Sequence, residues 1–246
     1  MERPKNTIII FLLVFLAVTS VYGSSNKIKI YHAFIGNKME NWKMVIDKME
    51  NDKEEDKEFL AELINYQYGY IGYCLGENNK KMAKHYLALA EENLEIVEKK
   101  GYSPAIIHAY RSAFWGFKIG FSPIKAPFYG PRCIDHVNHS LQANNKIAFG
   151  HVQYGIAYFY MPAVFGGSKT ISIEHFLEAV ILMEKDAESI TNNWNYLNLL
   201  TLIGQSYEDI KQYEKAKVYY EKALNTEPNF LWVKQELMPK LLERIK

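Results

Sequence analysis

The dominant pattern along the chain is a recurrence of apolar residues at spacings of three and four, which is typical of amphipathic α-helices. A clear example is the stripe formed by Met39, Trp42, Val45, Ile46 and Met49. Comparable stripes predict helices at about 28–35, 39–49, 59–75, 81–99, 104–121, 133–141, 146–160, 171–187, 194–210, 213–225 and 230–242. Because no Asn-Gly or Asp-Gly hairpin turn lies between alternating runs, we predict an all-α fold.

Two Pro/Gly-rich segments interrupt this helical pattern. Residues 127–130 and 162–166 share an order of Pro followed by aromatic-Gly, and we interpret both as expanded turns inside helix pairs. Functional residues concentrate on loops that a rigid scaffold holds in place. Phe128, Tyr129 and Phe165 are therefore our first candidates for contact with a ligand or partner.

The N-terminal segment has the pattern of a secretory signal peptide. Arg3 and Lys5 precede an unbroken apolar run of 11 residues at 8–18, and small or modest side chains follow up to Gly23. A retained membrane anchor needs about 20 apolar residues, so this run is too short to span a bilayer. We predict cleavage after Gly23, export to the periplasm or the cell exterior, and a mature chain of one domain at 24–246.

The charge balance argues against two classes of partner. The whole chain has 29 basic and 28 acidic residues, and removal of Glu2, Arg3 and Lys5 with the signal peptide leaves 27 of each. Nucleic-acid binding and attachment to an anionic membrane surface both draw on an excess of basic residues. We therefore expect no nucleic-acid partner, and no membrane span after signal cleavage.

Residues 197–230 carry a set of apolar, small and aromatic side chains at fixed positions of a 34-residue unit. Counted from Leu197, these positions are occupied by Leu200, Ile203, Gly204, Tyr207, Ala216, Tyr220, Ala223 and Pro228. Small residues allow two antiparallel helices to approach closely, and the prolyl residue ends the second helix. This stretch resembles the tetratricopeptide (TPR) repeat family. Degenerate upstream copies, such as Ala83, Leu87 and Ala90, extend the resemblance over most of the mature chain.

The resemblance implies antiparallel helix pairs stacked as a short right-handed superhelix, an α-solenoid, with the helix at 230–242 as a cap. In this family the first helix of each pair lines a groove. The corresponding side chains of the clear repeat are Asn198, Thr201, Gln205, Glu208 and Asp209. None of them is basic, which disfavours a ligand with a terminal carboxylate. The five residues either bind a peptide or cationic surface or form an ordinary solvated helix face.

These features lead to two functional hypotheses. The first is a non-catalytic scaffold that binds a protein or peptide, as in exported bacterial TPR proteins. The second follows from the helix–loop–Gly-Gly–helix order at 162–179, which is similar to periplasmic TPR proteins associated with TRAP-type transporters. That resemblance implies an accessory protein that binds a small molecule in a pocket under the 127–130 and 162–167 loops.

One group of residues has a composition suited to metal binding: Cys133, Asp135, His136 and His139. Three residues at steps of three turn around a helix by about 120° in all, so their side chains converge imperfectly. The established ligand spacings are absent, as are the motifs of serine hydrolases, phosphate-binding loops and zinc proteases. We predict no catalytic residue, no cofactor and no metal. We interpret Cys74 and Cys133 as buried free thiols, and a disulfide between them in an oxidising compartment is the alternative.

Overall fold

The computed structural model describes residues 25–52 and 56–245, and every regular element within these ranges is helical. The described residues 25–35 are helical and are called α1. It is followed by α2 (Met39–Asn51), α3 (Lys57–Gly76), α4 (Lys80–Lys99), α5 (Pro104–Phe121), α6 (Ala126–Ala143), α7 (Ala148–Tyr160) and α8 (Lys169–Met183). The chain ends with α9 (Ala187–Ile190), α10 (Trp194–Asp209), α11 (Tyr213–Thr226), a π-helical segment at Val233–Leu237 and α12 (Met238–Ile245). The predicted signal peptide lies outside the described residues.

Four helix pairs form the body of the protein: α3 with α4, α5 with α6, α7 with α8, and α10 with α11. Adjacent pairs pack together through α3 and α5, through α5 and α7, and through α8 and α10. At the starts of α3, α4 and α8, the side chains of Asp56, Asn79 and Ser168 accept hydrogen bonds from backbone N–H groups. Such caps satisfy donors that a helix leaves unpaired at its N-terminus. The predicted all-α solenoid of stacked pairs is confirmed.

Close approach between the two helices of a pair depends on small residues facing aromatic rings. A Cβ atom at Gly204 of α10 would overlap the ring of Tyr220 on α11. The same relation holds between Gly155 of α7 and Phe176 of α8. Both rings are completely buried. The predicted packing role of Gly204 is therefore confirmed, and a second pair uses the same contact.

The first helices of the pairs meet at Tyr68, in the middle of α3. Its ring lies 6.1 Å from Tyr110 of α5, 5.5 Å from Phe149 of α7 and 6.2 Å from Trp194 of α10, measured between ring centroids. The Tyr68 hydroxyl accepts a hydrogen bond of 2.8 Å from Nε2 of Gln153. The first helices of the pairs thus pack together through aromatic side chains, whose burial contributes hydrophobic stabilisation.

The N-terminal hairpin of α1 and α2 joins the first and last parts of the chain. Phe34 of α1 contacts Trp194 and Phe230, with ring centroids 5.8 and 5.0 Å apart. The hydroxyl of Tyr31 donates a 3.0 Å hydrogen bond to Glu227, 196 positions further along. On α2, Trp42 is fully buried and lies 5.0 Å from Trp194. The segment directly after the predicted cleavage site is therefore part of the core.

The beginning of α6 differs from the sequence prediction. Residues 127–130 are helical and form the first turns of α6, whereas we predicted a loop there and a helix from Cys133 onwards. The turn between α5 and α6 is instead a short 3-10 helix at Pro123–Lys125. Proline is compatible with the first turn of a helix, where its missing N–H leaves no partner unpaired. Contacts of Tyr129 and Arg132 with the Trp115 ring hold this end of α6 against α5.

Both cysteines are free and buried, as predicted. Cys133 contacts Ser112 of α5: its Sγ lies 3.2 Å from the Ser112 hydroxyl, which donates a 2.9 Å hydrogen bond to the Cys133 carbonyl. Burial raises the pKa of both thiols, to about 11 for Cys74. A thiol that stays protonated is a poor nucleophile and a poor metal ligand.

Candidate partner-binding surface

The five polar residues predicted to line a groove all lie on α10, but they do not form one open surface. Thr201 is completely buried, and its hydroxyl donates a 2.7 Å hydrogen bond to the carbonyl of Asn198. Asn198 and Gln205 are half-buried. The physical reason is that α10 lies in the interior and packs against both α8 and α11.

The two acidic members of this set are engaged in contacts within the protein. Glu208 accepts hydrogen bonds from the Tyr220 hydroxyl at 2.5 Å and from Arg244 at 2.9 Å. Asp209 is exposed and forms a 2.9 Å ion pair with Lys169 of α8. Glu208 thereby joins α10 to α11 and α12, and Asp209 joins α10 to α8. In this structure both carboxylates therefore hold neighbouring helices together and are not free to bind a partner.

The three aromatic residues selected from the sequence fall into two groups. Phe128 and Phe165 have 74% and 67% of their surface exposed. Tyr129 is half-buried, because its ring packs 5.0 Å from Trp115. The structure therefore does not bring the three rings together around an enclosed pocket. Two of them project into solvent and one supports the helix pair.

Phe128 and Phe165 belong to a larger group of exposed apolar side chains, which we call the turn edge. Its members are Ile124, Phe128, Tyr160, Val164 and Phe165, each at least 67% exposed. They lie where α5 turns into α6 and where α7 turns into α8. Because α5 and α7 are packed first helices of successive pairs, their C-terminal ends lie on the same side of the solenoid. Exposed apolar side chains grouped in this way are typical of interaction surfaces.

Polar contacts fix the second turn of this edge in one conformation. Lys169 donates a 2.7 Å hydrogen bond to the carbonyl of Phe159, and its ammonium group lies 3.3 Å from the centre of the Phe159 ring. The N–H of Ser168 bonds to the carbonyl of Tyr158 at 3.2 Å. Gly166 has a φ of 95°, a left-handed conformation that favours glycine. Val164 and Phe165 are thus presented on an ordered turn, which lowers the entropic cost of binding.

A cluster of three imidazoles is present that the sequence did not reveal. His136 and His139 of α6 lie beside His108 of α5, and one ring nitrogen from each lies within 4.8 Å of the others. The sequence places the two α6 histidines near Cys133, but the Cys133 thiol contacts Ser112 instead. His108 comes from a neighbouring helix 28 residues away, and no local spacing indicates such a contact.

Comparison with known proteins agrees with this architecture. The tetratricopeptide repeat family model matches residues 197–230. The crystal structure of a thermophilic TPR protein from Thermus thermophilus superimposes with a TM-score of 0.54 at 15% identity, over 89% of this chain and 98% of that chain. No curated protein matches the sequence. Among the described residues, no helix combines the length and apolar character that crossing a membrane requires.

The matched repeat and the superposition both support an architecture of stacked helix pairs. The repeat contains the Gly204–Tyr220 contact that sets the spacing of its two helices. The superposition extends the stacked arrangement over nearly the whole chain, at an identity that reports on fold alone. Residues 197–230 thus match the tetratricopeptide repeat, and the described chain as a whole has the fold of stacked helix pairs seen in a TPR protein.

Proposed function

We propose that this protein is an exported, non-catalytic TPR scaffold that binds a protein partner through the turn edge. The observation that carries the proposal is the concentration of exposed apolar side chains there. Ile124, Phe128, Val164 and Phe165 are 84%, 74%, 86% and 67% exposed. Apolar surface of this kind gains free energy when a partner removes it from water, at about 25 cal/mol per Å² buried.

The inner face of the solenoid is less suited to this role. In α10 the groove position Thr201 is buried, and Glu208 is bonded to Tyr220 and Arg244. A peptide lying along α10 would have to displace these contacts and α1 with its Phe34–Trp194 packing. The turn edge needs no such rearrangement, so it is the surface on which a partner binds at lower cost.

A small-molecule ligand under the 127–130 and 162–167 segments is the alternative role. Pockets for small molecules enclose most of the ligand surface. The exposure of Phe128 and Phe165 favours a protein partner instead, because a flat apolar edge complements another protein surface better than it encloses a small ligand.

Charge substitution at the turn edge tests the proposal. Phe128→Glu with Phe165→Glu should reduce recovery of the partner in affinity purification from native cell envelopes at least tenfold, because a buried carboxylate lacks hydrogen-bond partners in an apolar interface. Ile181→Glu with Val218→Glu is the matched control, since these side chains are 53% and 57% exposed on α8 and α11. Equal recovery with both double variants would exclude the turn edge as the binding surface.

A further inference from the structure

The three histidines on α5 and α6 each bring one ring nitrogen to within 4.8 Å of the others. Nδ1 of His108 lies 3.0 Å from Nδ1 of His136, and the rings of His108 and His139 are centred 5.2 Å apart. Two nitrogen ligands bound to one tetrahedral Zn²⁺ at about 2.0–2.1 Å are separated by roughly 3.3 Å. His136 and His139 are three positions apart on α6 and therefore share one helix face. Among the described residues, this is the group of His, Cys, Asp and Glu side chains that converges closely enough to bind an ion.

We infer that His108, His136 and His139 bind one Zn²⁺ ion, with the fourth coordination position left for water or for a donor group of a partner. Three histidines with an open fourth position form a ligand set that zinc adopts in proteins. The site joins α5 to α6 near the start of α5, whereas the turn edge begins at the C-terminal end of α5. It is therefore separate from the surface proposed for partner binding.

The surroundings of the cluster favour a cation. Asp135 Oδ2 lies 3.5 Å from Nδ1 of His139, which leaves Nε2 of that ring as the donor to the metal. A carboxylate on the second ring nitrogen is the usual arrangement for a histidine that binds zinc, because it fixes the tautomer and the ring orientation. The nearby cation Arg111 is neutralised by a 2.5 Å contact with Glu98.

The two facing Nδ1 atoms also have a defined arrangement without a metal. Without an ion, one ring donates its Nδ1 hydrogen to the other; with zinc bound, that hydrogen resides on Nε2.

A second histidine pair in the next repeat shows what distinguishes the cluster. His151 of α7 and His175 of α8 also face each other with their Nδ1 atoms 3.0 Å apart. However, Nε2 of His151 lies 2.9 Å from the carbonyl of Asn145, and Tyr154 stacks on His175 with ring centroids 3.9 Å apart. Two ligands without a third form a weak zinc site, so this pair serves as an internal control.

The position of His136 indicates how the open coordination site is reached. His136 lines a cleft of about 250 Å³ between α4, α5 and α6. The remaining lining residues include the carboxylates Glu91 and Glu95, the guanidinium group of Arg111 and the ring of Trp115. His139 has 47% of its side chain exposed, so water also has access from the other side. An ion here can exchange with solvent and can accept a donor from a bound partner.

Isothermal titration of the full mature protein, purified without a histidine tag, with zinc chloride tests the inference. We expect one equivalent of Zn²⁺ to bind, and His108→Gln and His136→Gln each to lower the affinity at least tenfold. His175→Gln and His85→Gln are the matched controls and should bind zinc as the unaltered protein does; His85 is exposed on α4. Circular dichroism shows whether each variant is folded.

A measurement on the unaltered protein keeps the inference testable if a variant fails to fold. X-ray absorption at the zinc edge should show nitrogen or oxygen ligands near 2.0–2.1 Å with the multiple-scattering pattern of about three imidazoles. Absence of stoichiometric zinc binding in the titration would overturn the inference. Equal affinity in His108→Gln and the unaltered protein would do the same.

Discussion

At the scale of single residues, the glycines that face aromatic rings determine how closely two helices of a pair can approach. Gly204 faces Tyr220, and Gly155 faces Phe176. In both places the ring occupies the volume where a Cβ atom would lie. A methyl group at either position forces the ring or the helix to move, and cores respond to such overpacking with a loss of stability.

Gly204→Ala should therefore lower the free energy of unfolding by about 1–3 kcal/mol, because the added methyl overlaps the Tyr220 ring. Gly72→Ala on α3 is the matched control, since its Cβ would meet nothing within 4 Å. Alanine is a better helix former than glycine, so this control should gain about 0.5–1 kcal/mol. Urea denaturation of both variants measures the difference, and a Gly204→Ala variant as stable as Gly72→Ala would disprove the packing role.

His175 links the stability of the fold to pH. Burial, and then the neighbouring His151, lowers the pKa of His175 to about 4, compared with an ordinary value near 6.5. The unfolded chain therefore binds more protons than the folded chain between these values. The contribution of neutral His175 to the free energy of unfolding is therefore fully present above about pH 6.5, and it is lost as the pH falls towards 4. The thermal unfolding midpoint should decrease as the pH falls over this interval, and His175→Asn should make that decrease shallower. Parallel curves of midpoint against pH for the two proteins would contradict the role of His175.

At the scale of elements, the hairpin of α1 and α2 holds the two ends of the solenoid together. Phe34 touches Trp194 and Phe230, and Trp42 packs against Trp194 from the other side. A solenoid of few repeats gains stability mainly from contacts between neighbours. A contact between its first and last elements adds cooperativity that a linear stack lacks.

Trp42→Ala should lower the free energy of unfolding by about 3–5 kcal/mol, the range for removing a fully buried large aromatic side chain. Met44→Ala, on the same helix and 68% exposed, should change stability by less than about 0.5 kcal/mol. Because Trp42 contacts Trp194, its loss should also speed amide hydrogen exchange in α10, more than 150 positions away in sequence. Unchanged exchange in α10 would show that the hairpin does not support the last repeat.

The helices could be predicted from the sequence wherever periodicity was strong, and the exceptions have local physical reasons. The spacing from Leu197 to Pro228 is sufficient to predict α10, α11 and the Gly204 contact. The start of α6 was missed because Pro127 and Gly130 usually interrupt helices, whereas contacts with the Trp115 ring support this one.

The candidate sites were less predictable, because they depend on which helices become neighbours. Phe128 and Phe165 could be selected from their turn-like surroundings. The zinc-type cluster could not, since His108 reaches His136 only after α5 and α6 pack together. Burial of Thr201 was equally hidden, because the sequence does not reveal that α10 packs against both α8 and α11.

At the scale of the whole molecule, export and partner binding together form the proposed function. The sequence predicts removal of residues 1–23. Intact-mass measurement of the protein from its native host should therefore give a chain that starts at Ser24. A chain that retains Met1 and fractionates with the cytoplasm would contradict export.

The turn edge is the feature on which the account of function depends most. Site-specific photo-crosslinking from position 164, the most exposed apolar side chain of the edge, addresses it directly in living cells. The same crosslinker at position 218 on α11 provides the background. The account predicts a discrete crosslinked partner from position 164 that is absent from position 218. Identical products from both positions, or none from 164 while the protein is folded and exported, would contradict it.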